Sequence, residues 1–93
     1  MTIELAPSFL KAYKKRIRYT IKLDRQYSKR VEMFRTNHSN PVIHDHALSG
    51  NKQGLRAFSV TGDVRVIYYL HNDTAYFIDI GSHAQVYSQL RQV

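Results

Sequence analysis

Apolar residues recur along this chain at two different spacings, and the change from one to the other divides it. In the first third, Phe9, Tyr13 and Ile17 lie four apart, which puts them on one face of a helix. Pro7 and Ser8 mark its start, because proline fits a first turn and serine can cap free amides. Lys11, Lys14, Lys15 and Arg18 fall elsewhere around the same helix. A second helix is predicted over about Leu23 to Thr36, with Leu23, Tyr27, Val31 and Phe34 inward. The break near Tyr19 to Lys22 is weakly marked, but a hairpin of two helices buries both apolar stripes better than one long helix. Asn37 to Pro41 ends the helical region, since Pro41 biases Asn40 away from helix. Val42 to Gly54 carries polar and glycine punctuation and reads as a loop. Strand-like runs follow at Leu55–Val60, Val64–Leu70 and Ala75–Ile80, separated by turns at Thr61-Gly62-Asp63 and His71-Asn72-Asp73. Gly81 is expected to end the last strand, and Ala84 to Leu90 can form a short closing helix.

With the β-prone Thr2–Leu5 in front, the order is β-α-α-β-β-β, with the option of a C-terminal helix. That predicts an α+β fold in which two N-terminal helices pack on one face of a small, mainly antiparallel sheet. The other face is expected to stay partly open, which an antiparallel sheet tolerates. The place of the first strand in the sheet is left undetermined. A length of 93 residues points to a single domain over 1–93.

Charge adds a direction. The net charge is +7, from 14 Lys and Arg against 7 Asp and Glu, and ten of those bases precede Thr36. A field concentrated on one face attracts polyanions. An acidic protein partner fits the charge as well as a nucleic acid does. The absence of cysteine excludes disulfides and thiolate metal sites. The N-terminal MTIELAPSFLKAYKK has no signal-peptide apolar core, and no apolar run approaches the ~20 residues of a membrane span. A cytoplasmic location with no membrane partner is the expectation.

The stretch from His46 to Tyr87 gathers His, Arg, Asp and Tyr at the ends of the strands. Antiparallel pairing is expected to bring Arg56 and Arg65 to one sheet face. His83 and Tyr87 are four apart and share a face if that stretch is helical. Asp63 in the turn and His46 in the loop can approach the same rim. Such a set suits transfer at an RNA phosphodiester. One group takes the proton of a ribose 2′-hydroxyl, cations stabilise the phosphate, and an acid protonates the leaving oxygen. Histidine can fill either proton role, arginine matches two phosphate oxygens, and tyrosine can stack or hydrogen-bond. Blander roles compete. Arg65 can pair with Asp79 across neighbouring strands, Tyr87 can be a packing residue, and Asp63 suits a turn for its own hydrogen bonding. His38 and His71 read as surface or turn residues. His44, Asp45, His46 and His83 are available ligands, but their spacing matches no zinc pattern and there is no carboxylate-rich cage, so no metal is expected. No phosphate-binding loop or nucleophile elbow is present, and no cofactor is called for.

Taken together, the segments IELAPSFLKAYKKRI, HDHALSGNKQGLRAFSVTGDVRVIYYL and DIGSHAQVY resemble the toxins of the RelE/ParE superfamily, nearest to its YafQ-like members. The resemblance covers nearly the whole chain. It rests on histidine-x-leucine-x-glycine, glycine-x-arginine, aspartate-x-arginine-x-x-tyrosine, then glycine-x-histidine with a later aromatic. It implies the RelE-like fold and a type II toxin-antitoxin module. A RelE-like toxin enters the ribosomal A site and cuts mRNA there, with the 2′-hydroxyl as nucleophile and no metal. A cognate antitoxin masks it, and operator DNA is bound only through the complex. By the same resemblance His46 matches a loop histidine of YafQ-like catalysis, Asp63 the acidic turn residue, and His83 the late histidine. Arg65 matches the central-strand arginine of RelE, Arg56 a RelE lysine, and Tyr87 a family aromatic. The chain departs from the patterns at Ser59, where YafQ-like toxins carry histidine, at Val64, where they carry tryptophan, and at Phe58, a basic position in RelE.

The resulting expectation is a metal-independent endoribonuclease that acts on mRNA in the 70S ribosome and inhibits translation. His83 is its general acid and His46, with Asp63, its base. Arg56 and Arg65 hold the phosphate, Tyr87 positions the nucleotide, and Lys11, Lys14, Lys15 and Arg18 contact ribosomal RNA. Two alternatives share the fold: a ParE-like inhibitor of DNA gyrase that cuts no RNA, and a degenerate toxin that only binds antitoxin.

Overall fold

A computed structural model describes residues 1–49 and 54–91. The helical hairpin forms as the apolar spacing predicts, with α1 at Pro7–Arg16 and α2 at Ile21–Thr36. Ile17 sets the break between them. Its amide and that of Arg18 both bond to the Tyr13 carbonyl, and its side chain is buried in the core. The helix therefore stops where one apolar residue can anchor the turn.

Five strands make one sheet, in the order β1-β5-β4-β3-β2. They are β1 (Thr2–Leu5), β2 (His46–Ala47), β3 (Arg56–Ser59), β4 (Val64–His71) and β5 (Thr74–Ser82). Among the described residues only the β1–β5 pair is parallel. β2 and a single helical turn at Pro41–Ile43 lie inside the stretch expected to be loop. β1 takes the edge beside β5 but covers only Thr74 to Phe77. Beyond it, α1 closes the exposed edge. The Ser8 hydroxyl donates to the Ile78 carbonyl at 2.7 Å, and Arg16 donates to the Ile80 carbonyl at 3.1 Å and to Asp79 at 3.2 Å. Blocking a strand edge in this way removes a template for unwanted pairing. Asp79 is thus committed to Arg16, and the alternative Arg65–Asp79 pair does not form, because Arg65 sits opposite Gly81. Gly81 does not end β5. The strand continues past it, and a Cβ there would stand 2.8 Å from both the Arg16 guanidinium and the Gln85 amide oxygen.

The two faces of the sheet are covered differently. Against the hairpin lies an aromatic core in which Phe34 stacks on Phe58 at 4.7 Å and meets Tyr68 and Phe77 edge-on. The opposite face is not left open. Helix α3 (His83–Arg91) docks Val86 onto Ala57 and Ile67, with Leu48, Leu55, Ile78 and Tyr87 around them. Its start is a reciprocal cap. Ser82 Oγ accepts from the Gln85 amide at 3.2 Å, and Gln85 Oε1 accepts from the Ser82 amide at 2.8 Å. Asp63 from the β3–β4 turn accepts from the His83 amide at 3.2 Å. Ser82→Ala is expected to cost about 1 kcal/mol of unfolding free energy. The check is a lower urea midpoint at unchanged slope. Among the described residues no helix is long and apolar enough to cross a membrane.

Candidate active site

Sheet register decides which functional side chains meet. Ser59 pairs with Arg65 and His46 pairs with Ala57, so His46, Ala57, Ser59 and Arg65 all belong to the face that α3 covers. Arg56 pairs with Tyr68 and lies on the hairpin face. The expectation that Arg56 and Arg65 share a face is therefore corrected. Ser59 is the strand partner of Arg65, and Arg56 stands an odd number of residues before it, which turns its side chain to the other side.

Arg56 is instead part of a half-buried polar knot centred on Asp45. Its Nε donates to the Tyr68 hydroxyl at 3.1 Å, and its guanidinium lies 3.4 Å from Asp45. The Tyr68 hydroxyl donates to the other Asp45 oxygen, and the His38 ring lies 3.4 Å from the carboxylate. Burial, and then the bond to Asp45, push the Tyr68 phenol well above its ordinary range, so it remains a donor. Asp45 keeps only 4% of its side chain exposed. The sequence singled it out only as a ligand candidate. The signal for its anchoring role is a lone carboxylate between two histidines, ahead of strands that bury an arginine and a tyrosine.

That knot fixes the connection on either side of Asp45. His44 adopts the left-handed conformation at φ 49°. Its carbonyl lies 2.7 Å from His46 Nδ1. A carbonyl can only accept, so Nδ1 carries the hydrogen and Nε2 of neutral His46 keeps its lone pair. His46 is exposed and lines two adjoining cavities. The smaller, about 190 Å³, is bounded by His46, Ala47, Leu48, Ser49 and Tyr87. The Tyr87 ring in turn packs against His83 at 4.3 Å between centroids. The larger, about 600 Å³, is bounded by Arg30, Val42, His44, Asp45, His46, Ser59, Thr61, Gly62 and Arg65. Arg65 makes one long hydrogen bond, 3.4 Å to Ser59 Oγ, and its buried Nε has no partner among the described residues.

The structure therefore brings His46, Tyr87, His83 and Arg65 to one face and leaves Arg56 on the other. Asp63 lines neither cavity; its carboxylate holds the start of α3, which carries His83 and Tyr87. Lys11, Lys14, Lys15 and Arg18 are exposed on the hairpin, across the sheet from this face. Arg30, which the sequence does not single out, leaves α2, passes the free edge of β3 and donates to the Val42 carbonyl at 2.8 Å. Nothing in a run of helical bases marks one of them as turning inward. Among the described residues no three His, Asp or Glu side chains gather closely enough to hold a metal ion.

Residues 1–88 match the family described as bacterial toxin of type II toxin-antitoxin system, YafQ. The chain belongs to the YafQ toxin family. Its fold is that of YafQ from Escherichia coli BL21(DE3), with 24% identity, a TM-score of 0.77 and coverage of 91% of this chain and 96% of that one. The same E. coli toxin is known in a DinJ-YafQ complex, matched at 24% identity and TM-score 0.74 over 91% and 96% of the two chains. A metal-bound toxin from Helicobacter pylori matches at 25% identity and TM-score 0.76, over 92% and 98%. A YoeB/ParE toxin from Agrobacterium tumefaciens shares 14% identity at TM-score 0.73, over 89% and 99%. No curated protein matches the sequence significantly. Within this YafQ-family toxin the departure at Ser59 lies in the middle of the site. Its small, buried side chain leaves open the space between Arg30, His46 and Arg65.

Proposed function

We propose that this YafQ-family toxin is a metal-independent endoribonuclease that cuts mRNA on the ribosome and so inhibits translation. The observation that carries the reading is the single face on which a histidine with a free Nε2, a Tyr87 ring in tilted contact with His83, and an arginine whose buried Nε lacks a partner among the described residues adjoin open cavities. His46 Nε2 takes the proton of the ribose 2′-hydroxyl. That oxygen attacks the adjacent phosphorus, Arg65 stabilises the charge on the non-bridging oxygens, and Tyr87 positions the nucleotide. The bond from phosphorus to the 5′-oxygen breaks, and His83 supplies the proton that the leaving oxygen needs. The products carry a 2′,3′-cyclic phosphate and a 5′-hydroxyl. Asp63 serves this chemistry indirectly, through the start of α3, and Arg56 through Asp45.

Open cavities orient a flexible strand poorly, so the ribosome supplies the orientation. Lys11, Lys14, Lys15 and Arg18 contact ribosomal RNA from across the sheet. Reversing these four charges is expected to weaken ribosome binding and flatten its salt dependence, since fewer counterions are released. The check is sedimentation binding over a range of salt, with an unchanged slope counting against the assignment. By analogy with the DinJ-YafQ complex, a cognate antitoxin masks the chain, and operator DNA is reached only through that complex. The site of action is the cytoplasm.

The deciding experiment exposes purified toxin to message with and without programmed ribosomes, and to gyrase on a plasmid. Cleavage only with ribosomes, tolerant of EDTA during the cleavage step, is expected. Intact message with inhibited supercoiling would overturn the reading in favour of a ParE-like toxin. No effect in either assay would leave a degenerate toxin that binds only its antitoxin.

A further inference from the structure

We propose that the larger cavity is a subsite for a phosphate neighbouring the scissile one along the RNA strand, with Arg30 as its principal cation and Arg65 shared between the two phosphates. The proposal rests on the nuclease reading for the identity of the strand, and on the cavity's own chemistry for the phosphate.

Arg30 and Arg65 reach this space from opposite directions, one from α2 around the free edge of β3 and one from β4. Arg30 is oriented by the Val42 carbonyl at 2.8 Å and the Ser59 carbonyl at 3.4 Å, both through Nη1. The rest of its fork bonds no other group among the described residues. Arg65 offers a buried Nε with no partner, a position that costs stability unless an acceptor enters. Two guanidinium forks converging on one cavity select an anion whose oxygens can be gripped in pairs. The one carboxylate on the wall, Asp45, does not cancel them, because Tyr68, Arg56 and His38 already occupy it. Ser59 and Thr61 add hydroxyls to the lining, and Ser59 is small enough to leave the room. A volume of about 600 Å³ lies within the range of small-ligand sites, roughly 300–1,000 Å³, and so admits a phosphate with part of its nucleoside. His46 lines this cavity and the smaller one beside Tyr87, so a strand whose 2′-hydroxyl meets His46 runs past the mouth of the space that Arg30 and Arg65 line.

The test titrates the ¹⁵N-labelled full chain with inorganic phosphate at constant ionic strength and follows the arginine Nε–Hε resonances. Arg30 and Arg65 are expected to shift together and saturably with one apparent Kd, while Arg18 and Arg25, on the outer hairpin, do not follow. Gly62→Asp sets a carboxylate at the mouth. A Cβ at Gly62 meets nothing within 4 Å, so the fold accommodates it. That variant is expected to weaken phosphate binding about tenfold or more, as loss of a charge-assisted contact does, and Gly62→Ser is not. On programmed ribosomes Gly62→Asp is expected to raise KM by a similar factor, as a lost ground-state contact does. A static Arg30 resonance, or unaltered phosphate binding by Gly62→Asp, overturns the subsite. The titration needs no cleavage. Coupled shifts in a chain that cuts no message keep the subsite and defeat the nuclease reading; cleavage with Arg30 unmoved does the reverse.

Discussion

Replacing His83 by alanine is expected to slow cleavage of ribosome-bound mRNA by about 100-fold or more, the usual contribution of a positioned general acid. The fold should survive the change. The His83 side chain is exposed, its ring touches Tyr87, and the hydrogen bond that Asp63 makes at this position is to the backbone amide. Alanine keeps that amide and suits the first turn of a helix. Single-turnover cleavage on programmed ribosomes measures the loss, and an unchanged circular dichroism spectrum and antitoxin affinity show that it is chemical. The decisive comparison is His46→Ala. If His46 is the base and His83 the acid, the double variant should lose little beyond the worse single one, since residues acting in one step are not additive. Cleavage by His83→Ala at the parent rate would remove the acid from this mechanism.

The largest effect on stability is expected from Asp45→Ala, at about 3 kcal/mol. The carboxylate is almost completely buried and receives Tyr68, Arg56 and His38. Removing it strands the Tyr68 hydroxyl beneath the hairpin and leaves Arg56 without its counter-charge. Arg56 keeps 32% of its side chain in contact with solvent, so water recovers part of the loss and the lower end of the range for broken buried pairs applies. Asp45→Ala combined with Arg56→Ala should cost less than the two single changes added, because the second removes the charge that the first strands. Cleavage should fall as well, because Asp45 fixes the segment in which the His44 carbonyl orients His46. Urea unfolding at several concentrations measures the first effect. A cost below about 1 kcal/mol, the net value of an ordinary hydrogen bond, would show that the knot is not an anchor.

Both residues bear on how far this protein could be understood before its fold was known. The pairing of His83 with Tyr87 was legible, because neighbours four apart meet on any helix. So were the helical hairpin and the three long strands, which follow from spacing-four and β-rich runs. The function of Asp45 was not legible. Its chemistry depends on a tyrosine and an arginine that arrive from two other strands.

The local pattern of apolar and polar residues, by itself, determined the α+β class, the hairpin, the β3–β4 and β4–β5 turns and the basic outer face. Each of these depends on residues within a few positions of one another. The tertiary structure decided the rest. It placed β1 parallel at the sheet edge, laid α3 over the second face, separated Arg56 from Arg65, and drew Arg30 around β3 into the site. These outcomes depend on register and on packing between distant segments. A shift of one residue turns every side chain of a strand to the opposite face, and spacing within a single segment carries no record of that choice.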